Sequence, residues 1–140
     1  MPSFRRSVVA ALVLSLAAAC NPVDLKDPNS VAAELRGTWS RSFDLPGIST
    51  VFVISVQDLT LTGNGTFTDE AGPSGTLSLS GQVTTQQMGG PLVQIDFVQT
   101  DGFTGHFNGT LTNANTLDGI VWGTFGGIIA DPGPATFRRQ

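Results

Sequence analysis

Phe103-Thr104-Gly105-His106-Phe107-Asn108-Gly109-Thr110-Leu111 decides how this chain folds: apolar residues or glycine hold every odd position and polar residues every even one. A two-residue period sends alternate side chains to opposite faces of a strand, so this stretch predicts a half-buried β-strand. The same grammar runs outward in both directions. Val93, Ile95 and Phe97 alternate with Gln94 and Asp96; Leu77, Leu79, Gly81 and Val83 alternate with Thr76, Ser78, Ser80 and Gln82. Further back, Leu59, Leu61, Gly63, Gly65 and Phe67 alternate with Thr60, Thr62, Asn64, Thr66 and Thr68. Turn-rich breaks fall at 45–47, 70–74, 88–91, 100–102, 113–115 and 131–134. The runs between them predict eight strands, at 36–44, 50–57, 59–69, 75–85, 91–99, 103–112, 116–125 and 135–139. A second partition puts hairpin turns at Asn64-Gly65 and Asn108-Gly109, because Asn-Gly is a strong hairpin signal. It changes the pairing and leaves the class all-β.

Gly-Thr-apolar is written five times, at Gly37-Thr38-Trp39, Gly65-Thr66-Phe67, Gly75-Thr76-Leu77, Gly109-Thr110-Leu111 and Gly123-Thr124-Phe125. The unequal intervals exclude a solenoid repeat. Glycines on the apolar face remove bulk where a sheet coils, and small barrels turn their corners this way. The expected fold is therefore a small antiparallel barrel of about eight strands, with a two-sheet sandwich as the alternative. Only one helix is predicted, a turn or two after Asp27, where an N-cap oxygen precedes Pro28 and Val31, Ala32, Ala33 and Leu35 follow.

The N-terminus carries Arg5 and Arg6, an uncharged run from Val8, and then Leu16-Ala17-Ala18-Ala19-Cys20. Val8 to Ala19 makes roughly 18 Å of helix, against a hydrocarbon core of about 30 Å, too short to span a membrane. A basic start, a short apolar segment and small residues mark a removable export signal. With Cys20, the only cysteine, directly after them, the segment resembles the lipobox of bacterial lipoproteins, although leucine stands at Leu16 and Ala17 holds its usual place. The resemblance implies a signal peptide over 1–19, lipid on Cys20 and a tether with a short helix over 20–34, leaving a barrel domain over 35–140. Asn21 after the cysteine favours the outer membrane, facing the periplasm or the cell surface. Arg5-Arg6 also touches the twin-arginine pattern, which Ser7-Val8-Val9 continues poorly.

The chain after residue 19 has 121 residues, one domain's worth, with five basic and eleven acidic side chains, a charge near −6. Nucleic acid is excluded as a partner, because a phosphate backbone is held by clustered Lys and Arg. No disulfide is available, so a packed core must supply the stability.

Leu35-Arg36-Gly37-Thr38-Trp39 at the first strand, with Phe137-Arg138-Arg139 in the last, resembles the calycin pattern of lipocalins, fatty-acid-binding proteins and avidins. The resemblance implies that Gly37 and Trp39 open the first strand after a short helix, and that Arg138 or Arg139 lies over Trp39 to close the barrel. Thr112-Asn113-Ala114-Asn115 stands where lipocalins carry a Thr-Asp-Tyr-like segment, and a chain with no tyrosine and two tryptophans lacks the makings of an avidin-like biotin site.

Catalytic chemistry finds little footing. His106 is the only histidine and lies on the polar parity of its strand; Asp96, Asp101 and several serines complete no triad, because no Gly-x-Ser-x-Gly elbow exists. A zinc site needs three or four ligands, which one histidine and a lipidated cysteine do not provide. Asp69-Glu70 and Asp101 read as loop surface, and no phosphate-binding glycine loop is present. The Asn-x-Thr sequons at Asn64 and Asn108 follow from the Gly-Thr grammar and carry no glycan in a bacterial lipoprotein. The expectation is a non-enzymatic envelope lipoprotein without cofactor or metal, a structural or interaction barrel that meets an envelope protein. The alternative is a calycin-type carrier holding a small apolar ligand, with Phe67, Leu79, Phe97 and Phe107 as its lining and Phe52, Phe103 and Phe125 as further candidates.

Overall fold

The computed structural model describes residues 23–42, 49–68 and 74–140. Helix α1 (Pro28–Leu35) is followed by β1 (Gly37–Ser42), β2 (Ser49–Gln57), β3 (Thr60–Thr68), β4 (Gly75–Thr84), β5 (Leu92–Gln99), β6 (Thr104–Asn113), β7 (Thr116–Phe125) and β8 (Ile128–Arg139). Each strand pairs antiparallel with the next and β8 returns to β1, so the sheet is a closed eight-stranded barrel rather than a sandwich. The signal segment, Cys20 and the expected strand ends at Phe43, Asp44 and Asp69 lie outside the described residues.

Alternation is what closes the sheet with an apolar inside. Phe52, Ile54, Leu61, Leu77, Leu79, Val83, Val93, Ile95, Phe107, Leu111 and Leu117 are all buried, while the intervening Thr, Ser, Asn and Gln face out. A barrel that spans a lipid bilayer carries the opposite pattern, apolar outside and polar within. Among the described residues no helix is long and apolar enough to cross a membrane.

The partition that runs strands through both Asn-Gly pairs holds, and details change elsewhere. Asn64-Gly65 and Asn108-Gly109 lie inside β3 and β6, since both segments pair through these positions with strands on either side. The β2–β3 connection is the two-residue turn Asp58-Leu59, with Asp58 in the left-handed region at φ 54°. The last strand starts at Ile128 instead of residue 135. Its turn is Gly126-Gly127, where consecutive φ values of 58° and 83° suit a tight hairpin that only glycine adopts freely. Asp131-Pro132, expected in a turn, instead lies within a β8 irregularity between the pairs Val121↔Gly133 and Gly123↔Ala130. Pro132 and Pro134 are tolerated because, among the described residues, β8 pairs with β1 only at Trp39↔Arg139 and Ser40↔Arg138, so no described β1 residue calls for a ladder N–H from either proline.

The two barrel ends differ. The base holds the β2–β3, β4–β5 and β6–β7 connections and is plugged by α1, whose Val31, Ala32 and Leu35 are buried in the core. Asp27 caps the helix, accepting hydrogen bonds from Ser30 N at 2.9 Å, Ser30 Oγ at 2.8 Å and Asn29 N at 3.4 Å. Those donors, the Ser30 hydroxyl first, hold the Asp27 carboxyl below its ordinary value. The β5–β6 and β7–β8 connections gather at the opposite end, the mouth.

Candidate functional site

Gly37, Trp39 and Arg139 meet at the base in one constellation. Trp39 is fully buried, and its indole N–H donates to Leu35 O at 2.8 Å. The Arg139 guanidinium lies over the indole at 4.8 Å, a cation–π distance. Its Nη1 donates to Arg36 O at 2.8 Å and its Nε to Ala114 O at 2.9 Å, while Nη2 donates to Glu34 O and to Glu34 Oε1. A helix ends with carbonyls that have no intrahelical partner; here Trp39 and Arg139 satisfy those of Glu34, Leu35 and Arg36. Gly37 permits the arrangement, with φ at 126° and a Cβ position only 3.1 Å from Arg139 Nη1. Of the two terminal arginines, Arg139 makes these contacts; Arg138 is exposed on the outer face. The constellation is chemically a cap and a clasp, with the indole nitrogen and each guanidinium nitrogen already donating to a backbone carbonyl and Nη2 also to the Glu34 carboxylate.

Above the base, four phenylalanines fill the interior. Phe137 meets Phe52 edge-on at 5.1 Å and Phe107 at 5.2 Å, and Phe97 lies 5.8 Å from Phe52 and 6.3 Å from Phe137. Between this cluster and the mouth remains a cavity of about 160 Å³, reached past Arg41, Thr50, Gln99 and Phe103 and floored by Phe97 and Phe137. Small-molecule pockets run from ~300 Å³ upward. A space this size matches the ~150 Å³ that holds a benzene ring.

Of the lining expected from sequence, Phe97 borders this cavity, whereas Phe67, Leu79 and Phe107 do not. Leu79 and Phe107 belong to the packed core. Phe67 is buried, its ring edge lying against Gly75. Phe52 is likewise core, Phe103 lines the cavity, and Phe125 is exposed at the tip of the β7–β8 hairpin. Arg41 at the mouth was missed, although it lies two residues after Trp39 and so shares its inward parity. Its Nη2 donates to Pro134 O at 3.1 Å across the β1–β8 seam, and loss of solvent lowers the guanidinium's pKa.

On the outer wall Ser80, Asp96, His106 and Trp122 form a row across β4 to β7. His106 Nδ1 sits 2.5 Å from Asp96 Oδ1, and its ring stacks on Trp122 at 5.6 Å. In a hydrolytic triad the histidine lies between acid and nucleophile. Here Asp96 lies between Ser80 and His106, and two strand spacings of ~4.8 Å keep the hydroxyl from the imidazole. Among the described residues no three His, Cys, Asp or Glu side chains group as metal ligands. No family model, curated protein or solved structure matches this chain.

Proposed function

We propose that this chain is a non-catalytic lipoprotein of the bacterial cell envelope, held to the membrane by lipid on Cys20, whose barrel is a packed scaffold for interaction at its surface. The observation that carries the scaffold reading is the interior: Phe52, Phe97 and Phe107 pack around Phe137 and leave about 160 Å³, the space of a ring. The export signal and the lone Cys20 support the anchor, and the orthodox inside-in, polar-out barrel supports a domain bathed by water.

A second reading has one specific observation behind it, the cavity mouth, where Arg41, Thr50 and Gln99 offer polar groups above an apolar floor. That geometry supports a ring-sized ligand more than the long-chain apolar cargo of a carrier. Metabolic lipid labelling tests the anchor: wild-type protein incorporates label and fractionates with membranes, and Cys20→Ser abolishes both. Titration of the mature Cys20→Ser chain with a fluorescent fatty acid tests the scaffold. No saturable binding is expected; saturable binding abolished by Phe97→Asp in a folded variant would replace the scaffold with a carrier.

A further inference from the structure

The β7–β8 hairpin leaves the barrel at its mouth and is apolar on both faces. Phe125 lies past the last β6 pairing, Thr104↔Thr124, so the tip has no neighbouring strand on that side. Phe125 and Ile128 are directly paired and share one face; Ile129, opposite Thr124, is on the other. They are 54%, 75% and 75% exposed. No charged side chain occurs from Gly119 to Ala130, and the turn between the apolar residues is Gly126-Gly127. Exposed apolar clusters mark sites of protein or membrane contact.

A flat protein surface buries one face of a hairpin and leaves the other in water, whereas a lipid layer surrounds both. Charge narrows the choice further. Asp131, two residues after Ile129, and Asp101, in the β5–β6 connection at the mouth, are acidic, as are Asp44, Asp69 and Glu70 in the sequence between β1 and β2 and between β3 and β4; Arg41 at the cavity mouth is the described cation set against them. A second copy docked tip to tip would bring like carboxylates together, and an anionic lipid surface would repel them. We infer that the β7–β8 tip is a membrane-insertion element for zwitterionic lipid, with Phe125, Ile128 and Ile129 entering the acyl boundary and Trp122 at headgroup level.

Depth agrees with this placement. Trp122 precedes Phe125 by three residues, about 10 Å along a strand, which is the immersion of a shallow interfacial element, and indoles favour the membrane–water interface. Asp131 stops deeper entry. The element does not depend on lipid at Cys20. The chain reaches α1 at the barrel base, beside the β4–β5 connection, where Gly90 approaches Leu25 O. Eight residues from Cys20 to Pro28 extend to about 26 Å, a tether that lets the base of a tilted, mouth-down barrel stay linked to lipid in the same membrane.

The test uses the mature chain from position 20 with Cys20→Ser, which carries neither signal nor lipid, and vesicles of phosphatidylcholine and phosphatidylethanolamine. Co-flotation is expected, unchanged at high salt. Lipids brominated on the acyl chains should quench Trp122 emission and leave that of the fully buried Trp39. Phe125→Asp and Ile129→Asp should each weaken partitioning about tenfold or more, the effect of withholding one large apolar side chain. Val53→Asp, a charge placed on an exposed apolar residue of β2, should not. Absence of flotation, equal binding by the tip variants, or loss with Val53→Asp overturns the inference. So does a dimer in sedimentation that Phe125→Asp dissolves while vesicles leave the protein unbound, which makes the tip a protein contact.

Discussion

Removing the Arg139 side chain is the most direct perturbation of the barrel base. In Arg139→Ala the carbonyls of Glu34, Arg36 and Ala114 each lose a charged donor, and Trp39 loses its cation. Hydrogen bonds from a charged group are worth about 1.5 kcal/mol each at the lower end, and the cation–π contact about 0.5 to 2 kcal/mol. The side chain is 23% exposed, so water replaces part of what is lost, and the contacts are not independent. A net cost of about 3 kcal/mol follows, or a fall in Tm of about 12 °C for a domain of this size. Lys at 139 keeps the charge, but one ammonium cannot reach three diverging carbonyls, so it should recover no more than about 1 kcal/mol. Arg138→Ala, on the exposed face, should stay within about 0.5 kcal/mol of wild type.

Urea unfolding of the mature Cys20→Ser chain, followed by far-ultraviolet circular dichroism, gives these differences without relying on the tryptophan being altered. Combining Arg139→Ala with Trp39→Leu should reveal a coupling of about 0.5 to 1 kcal/mol, since both residues cap the same helix end. A cost below about 1 kcal/mol for Arg139→Ala, or an equal cost for Arg138→Ala, would refute the clasp.

Gly65→Val should destabilise by about 3 kcal/mol or prevent folding, measured by the same unfolding curves, because a Cβ there meets Phe52 Cα at 2.6 Å and Cβ at 2.7 Å. Asp27→Ala should lower the urea midpoint at neutral pH. The Asp27 carboxyl has a folded value held below the usual 3.8, so its contribution is present above that value and is lost as pH falls through the lower one. Wild-type and Asp27→Ala midpoints should therefore differ by a constant amount down to about pH 5 and converge below about pH 4.

Seven of the eight strands were legible to within a couple of residues where their ends are described, because their apolar parity is continuous. β8 failed for a reason the alternation rule contains: an irregularity around Asp131-Pro132 shifts parity in mid-strand, and two prolines disguise an edge as a turn. Gly126-Gly127 was the available signal, passed over in favour of the denser cluster that follows. The Asn-Gly pairs offered an alternative partition that the structure rejects in favour of the continuous strands. In β3 and β6 the glycine serves close strand approach, and no local feature separates that use from a turn. Trp39 was visible as paired with a terminal arginine, Arg138 or Arg139, only through resemblance, since nothing in the spacing of residues 39 and 139 places them together. Their hydrogen bonds to the end of α1 belong to three-dimensional closure. The filled interior was equally illegible, because alternation fixes which phenylalanines point inward and not how much volume their rings leave.

The two ends of the barrel divide the demands of stability and contact. At the base, backbone groups that a helix end would leave unpaired are taken by Trp39 and Arg139, and the apolar residues of α1 are covered by the strands. At the mouth, β8 has lost β1 as a described neighbour, its prolines blunt the edge against strand addition, and Phe125, Ile128 and Ile129 stand in water. Those three side chains are largely exposed, so they contribute little to the stability of the fold, and a charge at any of them should leave the unfolding curve nearly unchanged. Stability carried by the base frees the tip for sequence chosen by what it touches, which is why a tip variant that abolishes vesicle binding without moving the urea midpoint would separate function from fold.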